Sequence, residues 1–169
     1  MSIMKQLTLK EIQIKLGMPQ HVLIHLCEKG VIVPDFEQTQ GRGKWRKFSK
    51  KNIFEFAIAL ELRKYEISVR TTGLIIQVLS TFEKAVQKKI YNFHLPHSLI
   101  EKKIPLNLYI LNGEDLLFEI NKKLIGFNLK KLTKGNVKNT AVKKIGHFPK
   151  KYDSYLKVDF LTLAEKIIS

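Results

Sequence analysis

A single cysteine, Cys27, stands in 169 residues. No internal disulfide can form, and the Cys-rich sites that hold structural zinc are excluded. Acidic residues are scarce, 15 Asp and Glu against 30 Lys and Arg. No apolar run approaches the ~18 residues of a membrane-spanning helix, and Met1 to Gln6 has no apolar signal segment. The expectation is a chain that stays in the cytoplasm, off the membrane. No nucleophile elbow, phosphate loop, paired-carboxylate motif or zinc signature occurs, so neither an enzyme nor a cofactor is expected.

Hydrophobic residues make up 44% and charged residues 27%, which suits a folded chain rather than a disordered one. The net charge is +15. Residues 1–72 hold 13 basic and 7 acidic groups, a net +6; residues 73–169 hold 17 and 8, a net +9. Both halves can face a polyanion, either nucleic acid or an anionic membrane surface. A solvated, Lys-rich surface has the same composition, so charge alone does not choose.

Thr8 and Glu11 have capping-box spacing, and Leu9, Ile12 and Leu16 recur at helical spacing behind them. This predicts a helix over Leu9–Leu16, ended by Gly17. A second helix is predicted from Pro19 to Lys29, with Val22, Leu23, Leu26 and Cys27 on its buried side and Gly30 after it. Val31 to Pro34 reads as an extended exit. Gly41 to Phe48 combines two turn glycines, four cations and two aromatics, the pattern of a hairpin tip and returning strand. Ser49 caps a third helix, Lys50 to about Glu66. Ser68 to Gly73 reads as a break, followed by a fourth helix over about 71–91. Ile75, Leu79, Phe82, Val86 and Ile90 form a stripe on it that suits pairing with another helix, in the same chain or in a partner.

Pro96 and Pro105 bracket a stretch that reads as a linker. Strands are predicted over Leu106–Leu111 and Leu116–Ile120, joined at Asn112-Gly113, a strong hairpin signal. Further strands are predicted over 124–132, 142–148 and 155–160, with a short helix over Leu161–Ile168. The predicted class is α+β, with residues 1–70 and 97–169 as domains and 71–96 as a connecting helix and linker.

At this level the segment Leu7 to Ile76 resembles the DNA-binding domain of MerR-type transcription regulators. Gly17 and Gly30 stand at the family's spacing around its recognition helix. Gly43, Arg46, Phe48 and Asn52 occupy, in register, the family's Gly, Arg, aromatic and acidic-or-amide positions. Leu62-Arg63-Lys64-Tyr65-Glu66-Ile67-Ser68-Val69 is similar to its helix end and turn. Where the family carries an Arg and two aromatics, this chain has Ile24, His25 and Leu26; Tyr65 and Glu66 stand near the family's Leu-Gly. The resemblance implies a winged helix-turn-helix with the second helix in the DNA major groove and the wing on the backbone. It also implies a homodimer on double-stranded DNA. The family's C-terminal part senses a ligand or metal, but residues 97–169 match no sensor pattern, so no small-molecule effector is named.

On that reading Gln20, His21, Ile24 and His25 face the groove. Gln20 pairs with an adenine edge, Ile24 packs on a thymine methyl, and Glu28 sits at the rim. Arg42, Lys44, Arg46 and Lys47 neutralise phosphates, and Trp45 packs against DNA sugars or against the domain itself. Lys50 and Lys51 oppose their own helix dipole, a cost that a nearby phosphate offsets. His21 and His25 have the spacing of two metal ligands, and His94, His97 and His147 add to the count. No carboxylate or Cys completes a pattern, so no metal is expected. A DNA-architectural or recombination accessory factor, and a winged protein-interaction module that does not bind DNA, remain as alternatives.

Overall fold

Thr8 opens the first helix by closing a full capping box. Its hydroxyl accepts from the Glu11 backbone N–H at 3.2 Å, and Glu11 Oε2 accepts from the Thr8 N–H at 2.7 Å. That backbone bond, first, and the Thr8 hydroxyl, second, hold the Glu11 carboxyl below its usual range. The computed structural model describes residues 5–37, 46–113, 115–133, 135–137, 143–146 and 154–168. Among these residues the architecture is mixed α+β, with six helices and two antiparallel sheets. The chain divides into two units, Met1–Gly73 with Lys166–Ser169, and Leu74–Glu165.

The first unit begins with β1 (Leu7–Thr8) and α1 (Leu9–Leu16), which Gly17 ends in the left-handed conformation. Helix α2 covers Gln20–Glu28, with Pro19 as an extended N-cap rather than the first helical residue. It closes through Gly30, at φ 70°. The Gly30 N–H donates to the Cys27 carbonyl and the Val31 N–H to the Leu26 carbonyl, a Schellman close. Strands β2 (Phe36–Glu37) and β3 (Arg46–Phe48) follow, and β3 lies centrally in the order β1-β3-β2. Lys47 pairs with Thr8 on one side and Phe36 on the other. Phe48 is fully buried and meets Phe56 edge-on at 5.4 Å.

Helix α3 (Lys50–Lys64) starts at Ser49. Its third residue, Asn52, is 1% exposed and ties three pieces of chain together. Asn52 Oδ1 accepts from the backbone N–H of Asp35 at 2.9 Å and of Ser49 at 3.1 Å. Its Nδ2 donates to the Val33 carbonyl at 2.9 Å and to Glu55 Oε2 at 3.0 Å. The Ser49 hydroxyl donates to Asp35 Oδ2. The exit from α2 is thereby fixed to the end of β3 and the start of α3.

Helix α3 also ends in a Schellman close. The Glu66 N–H donates to the Arg63 carbonyl, and the Ile67 N–H to the Leu62 carbonyl. Here the left-handed position, φ 58°, holds Glu66 instead of glycine. Helix α4 (Val69–Gln87) starts two residues before the expected position. The Ser68 hydroxyl accepts from the Thr71 N–H at 3.1 Å and caps it, so the expected break at 68–73 is mostly helical.

In the second unit the expected linker is folded. The Gln87 side chain donates to the Phe93 carbonyl at 2.8 Å, and Glu83 accepts from the Leu95 N–H at 2.9 Å, turning the chain back onto α4. Phe93, Leu95 and Leu99 are buried, and His97–Glu101 form the short helix α5. Strands β4 (Leu106–Leu111), β5 (Asp115–Ile120), β6 (Lys123–Asn128), β7 (Lys143–Ile145) and β8 (Tyr155–Asp159) make a sheet in the order β7-β6-β5-β4-β8. The chain meanders through four strands and returns the fifth beside the first. Asn112 and Gly113 both have positive φ, in the three-residue connection between paired Leu111 and Asp115. A tighter, two-residue turn at Asn121-Lys122, between paired Ile120 and Lys123, has positive φ at both positions without a glycine. Strand β6 ends earlier than expected because Asn128 Oδ1 accepts from the Lys130 and Lys131 N–H groups, closing a single 3-10 turn.

One sheet face carries Phe118 as its hub. It stacks on Phe82 of α4 at 4.5 Å and meets Phe127 at 5.8 Å and Phe160 at 6.3 Å. Phe160 starts the last helix, α6 (Phe160–Ile168). On the other face Tyr109, Leu111, Leu117 and Leu124 cluster, with Ile145 against them. Burial, and next the charge of Glu119, push the Tyr109 phenol up.

Candidate nucleic-acid interface

The buried stripe of α2 is Val22, Leu23 and Leu26; Cys27, expected among them, is half-buried. Anchoring that stripe leaves Gln20, His21, His25 and Glu28 exposed along the opposite side. Ile24 departs from the expectation. It is half-buried and lines a cleft with residues of α3 and α4, which limits its reach toward an outside partner.

Strand β3 separates its two cations by alternation. Arg46 shares the face of buried Phe48 and is half-buried; Lys47 lies on the other face and is exposed. Lys50 and Lys51 follow in the first turn of α3, exposed and half-buried respectively, with no acidic residue in that turn. The positive end of the helix dipole therefore adds to their field. Of the acids nearby, Asp35 accepts from Ser49 and Glu55 from Asn52, while Glu37 stands opposite Arg46 in the strand pairing. Ion pairs among the described residues include Lys64–Glu61 and Lys103–Glu165, and His94 Nδ1 lies 4.0 Å from Glu83. None of them takes up Arg46, Lys47, Lys50 or Lys51. Four cations within six residues are thus held at a strand end and a helix start without acidic partners among the described residues. Such a set suits the phosphates of a nucleic acid.

Arg42, Lys44 and Trp45, with Gly41 and Gly43, lie outside the described residues, as does His147. Among the described residues no three His, Cys, Asp or Glu side chains come close enough to hold a metal ion. No helix there is long and apolar enough to cross a membrane.

The stripe expected on α4 is a correction. Ile75, Leu79, Phe82 and Val86 are 0–4% exposed within the single chain, with Phe82 stacked on Phe118, and Ile90 lies past the helix end, half-buried. Their periodicity marks a face buried inside this chain, so these four side chains are not free to pair with a second copy. Sequence reasoning also passed over exposed Arg63, on the last turn of α3, and Arg70, on the first turn of α4. Their only signal was basic residues on either side of the Tyr65-Glu66 turn. Compared with protein-family models and with curated proteins, the chain matches none.

Proposed function

We propose that this chain is a sequence-specific, double-stranded DNA-binding protein acting in transcription control, through a MerR-like winged helix-turn-helix. The unpartnered cations Arg46, Lys47, Lys50 and Lys51 carry this reading. They form the phosphate-contacting flank, with Arg42 and Lys44 of the intervening segment. Helix α2 enters the major groove. Gln20 in its first turn supplies an adenine-type edge contact, and His21 and His25 lie along the same side. Half-buried Ile24 contributes at the margin. One such unit reads one half-site, so two copies of the chain occupy a two-fold site, paired through a surface other than the buried α4 stripe.

Selection of bound duplexes from a random pool tests this. Recovery of a palindromic motif, protected as one discrete site in footprinting, is the expected result. Broad or phased protection without a motif belongs to an architectural factor, and no duplex retention to a protein-interaction module; either refutes the proposal.

A further inference from the structure

The first unit holds a cleft of about 530 Å³ walled by α2, the end of α3 and the start of α4. That volume lies within the ~300–1,000 Å³ of ordinary small-molecule sites. Its lining is mostly apolar: Val22, Ile24 and Leu26 of α2, Ala59 of α3, and Ile67 and Val69 beyond it. Val69 is 39% exposed, so this apolar surface reaches solvent at the rim. The polar groups are few. His21 and His25 line one side, and Arg63 stands on the last turn of α3, exposed and without an acidic partner among the described residues. Glu28 is the one acid in the lining.

An apolar slot with an unpaired guanidinium in its lining has the chemistry of a carboxylate site. The planar fork of an Arg matches a carboxylate in two parallel hydrogen bonds, while the chain or ring behind it leaves water. We propose that this cleft binds a small apolar monocarboxylate, its carboxylate on Arg63 and its apolar body against Ile24, Ala59 and Val69. His21 and His25 belong both to the cleft and to the exposed, groove-facing side of α2. A bound carboxylate therefore excludes duplex from that side, and ligand and DNA compete. The ligand site stands on the cleft alone; the competition rests on the DNA reading above.

Calorimetric titration of the full chain with decanoate, and with decanol as its uncharged counterpart, tests the site. Saturable one-to-one decanoate binding is expected. Arg63→Ala, at an exposed position, should weaken it about tenfold or more, the size of a hydrogen bond to a charged group, and leave decanol unchanged. Val69→Asp, also exposed, should weaken both ligands. Absence of saturable decanoate binding, or equal binding by wild type and Arg63→Ala, overturns the site. With a selected duplex, decanoate should raise the apparent Kd in wild type, and Arg63→Ala should need about tenfold more decanoate or above for the same rise. Decanoate binding with unaltered duplex affinity overturns the competition. A chain that binds decanoate through Arg63 and no duplex at all refutes the DNA reading while upholding the site.

Discussion

Asn52→Asp keeps the shape of the side chain and reverses half of its chemistry. The Asn52 side chain makes four hydrogen bonds of 3.1 Å or less, two as acceptor and two as donor, the full capacity of an amide. The substitution places oxygen where Nδ2 now faces the Val33 carbonyl at 2.9 Å and Glu55 Oε2 at 3.0 Å. Two hydrogen bonds at ~1 kcal/mol each are lost, and a further ~1 kcal/mol or more follows from burying a charge beside a second carboxylate. A total of about 3 kcal/mol lowers the melting midpoint by about 6–12 °C, at ~2–4 °C per kcal/mol for a chain of this size. The introduced carboxyl titrates above its unfolded value, because burial and Glu55 both disfavour its charge. Its penalty is therefore small below the unfolded value and grows as pH rises through the folded one. Thermal melting by circular dichroism at pH 7 and pH 4 measures this. A variant that melts with wild type at pH 7, or that is worse at pH 4, refutes the role given to Asn52.

Glu66→Gly should stabilise the protein by up to about 1 kcal/mol, because a left-handed backbone strains an L side chain and not glycine; a lower midpoint in chemical denaturation contradicts this. Phe82→Ala should cost about 3–5 kcal/mol, as a fully buried ring stacked on Phe118 is removed, and a mild loss would show the stripe to be dispensable to the core. The Glu11 carboxyl, held below its usual 4.5, contributes stability that is fully present above that value and lost as pH falls through the folded one. Glu11→Gln should flatten the acid limb of the stability profile, and an unchanged limb contradicts the capping role.

Helix starts and stops were legible because their chemistry is local. Thr8 with Glu11, Ser49 with Asn52, and glycines 17 and 30 each satisfy backbone groups within a few residues, so spacing alone finds them. Glu66 ends α3 in the same geometry without a glycine, and the end had to be placed two residues late. Asn112-Gly113 announces its hairpin, whereas Asn121-Lys122 makes a two-residue turn with no glycine to signal it. The segment after α4 hides its fold from the sequence, because Pro96 and Pro105 look like linker punctuation, and a five-residue helix is too short to show a period. What holds it, Glu83 and Gln87 reaching back to residues 95 and 93, is tertiary. The α4 stripe shows the limit of periodicity, which reports that a face is buried and not what buries it. At the candidate site the cations were readable one by one. Their lack of acidic partners, and the cleft that draws in Ile24, depend on residues brought together by three helices.

Duplex binding measured against salt, for wild type and for Arg46, Lys47, Lys50 and Lys51 changed together to Ala, decides whether these four cations hold DNA. Each phosphate contact contributes ~0.9 to the slope of log K against log salt, so four lost contacts flatten it by about 3.6 and weaken binding at low salt. A variant with wild-type affinity and slope, still melting as wild type does, would show that these cations do not hold DNA.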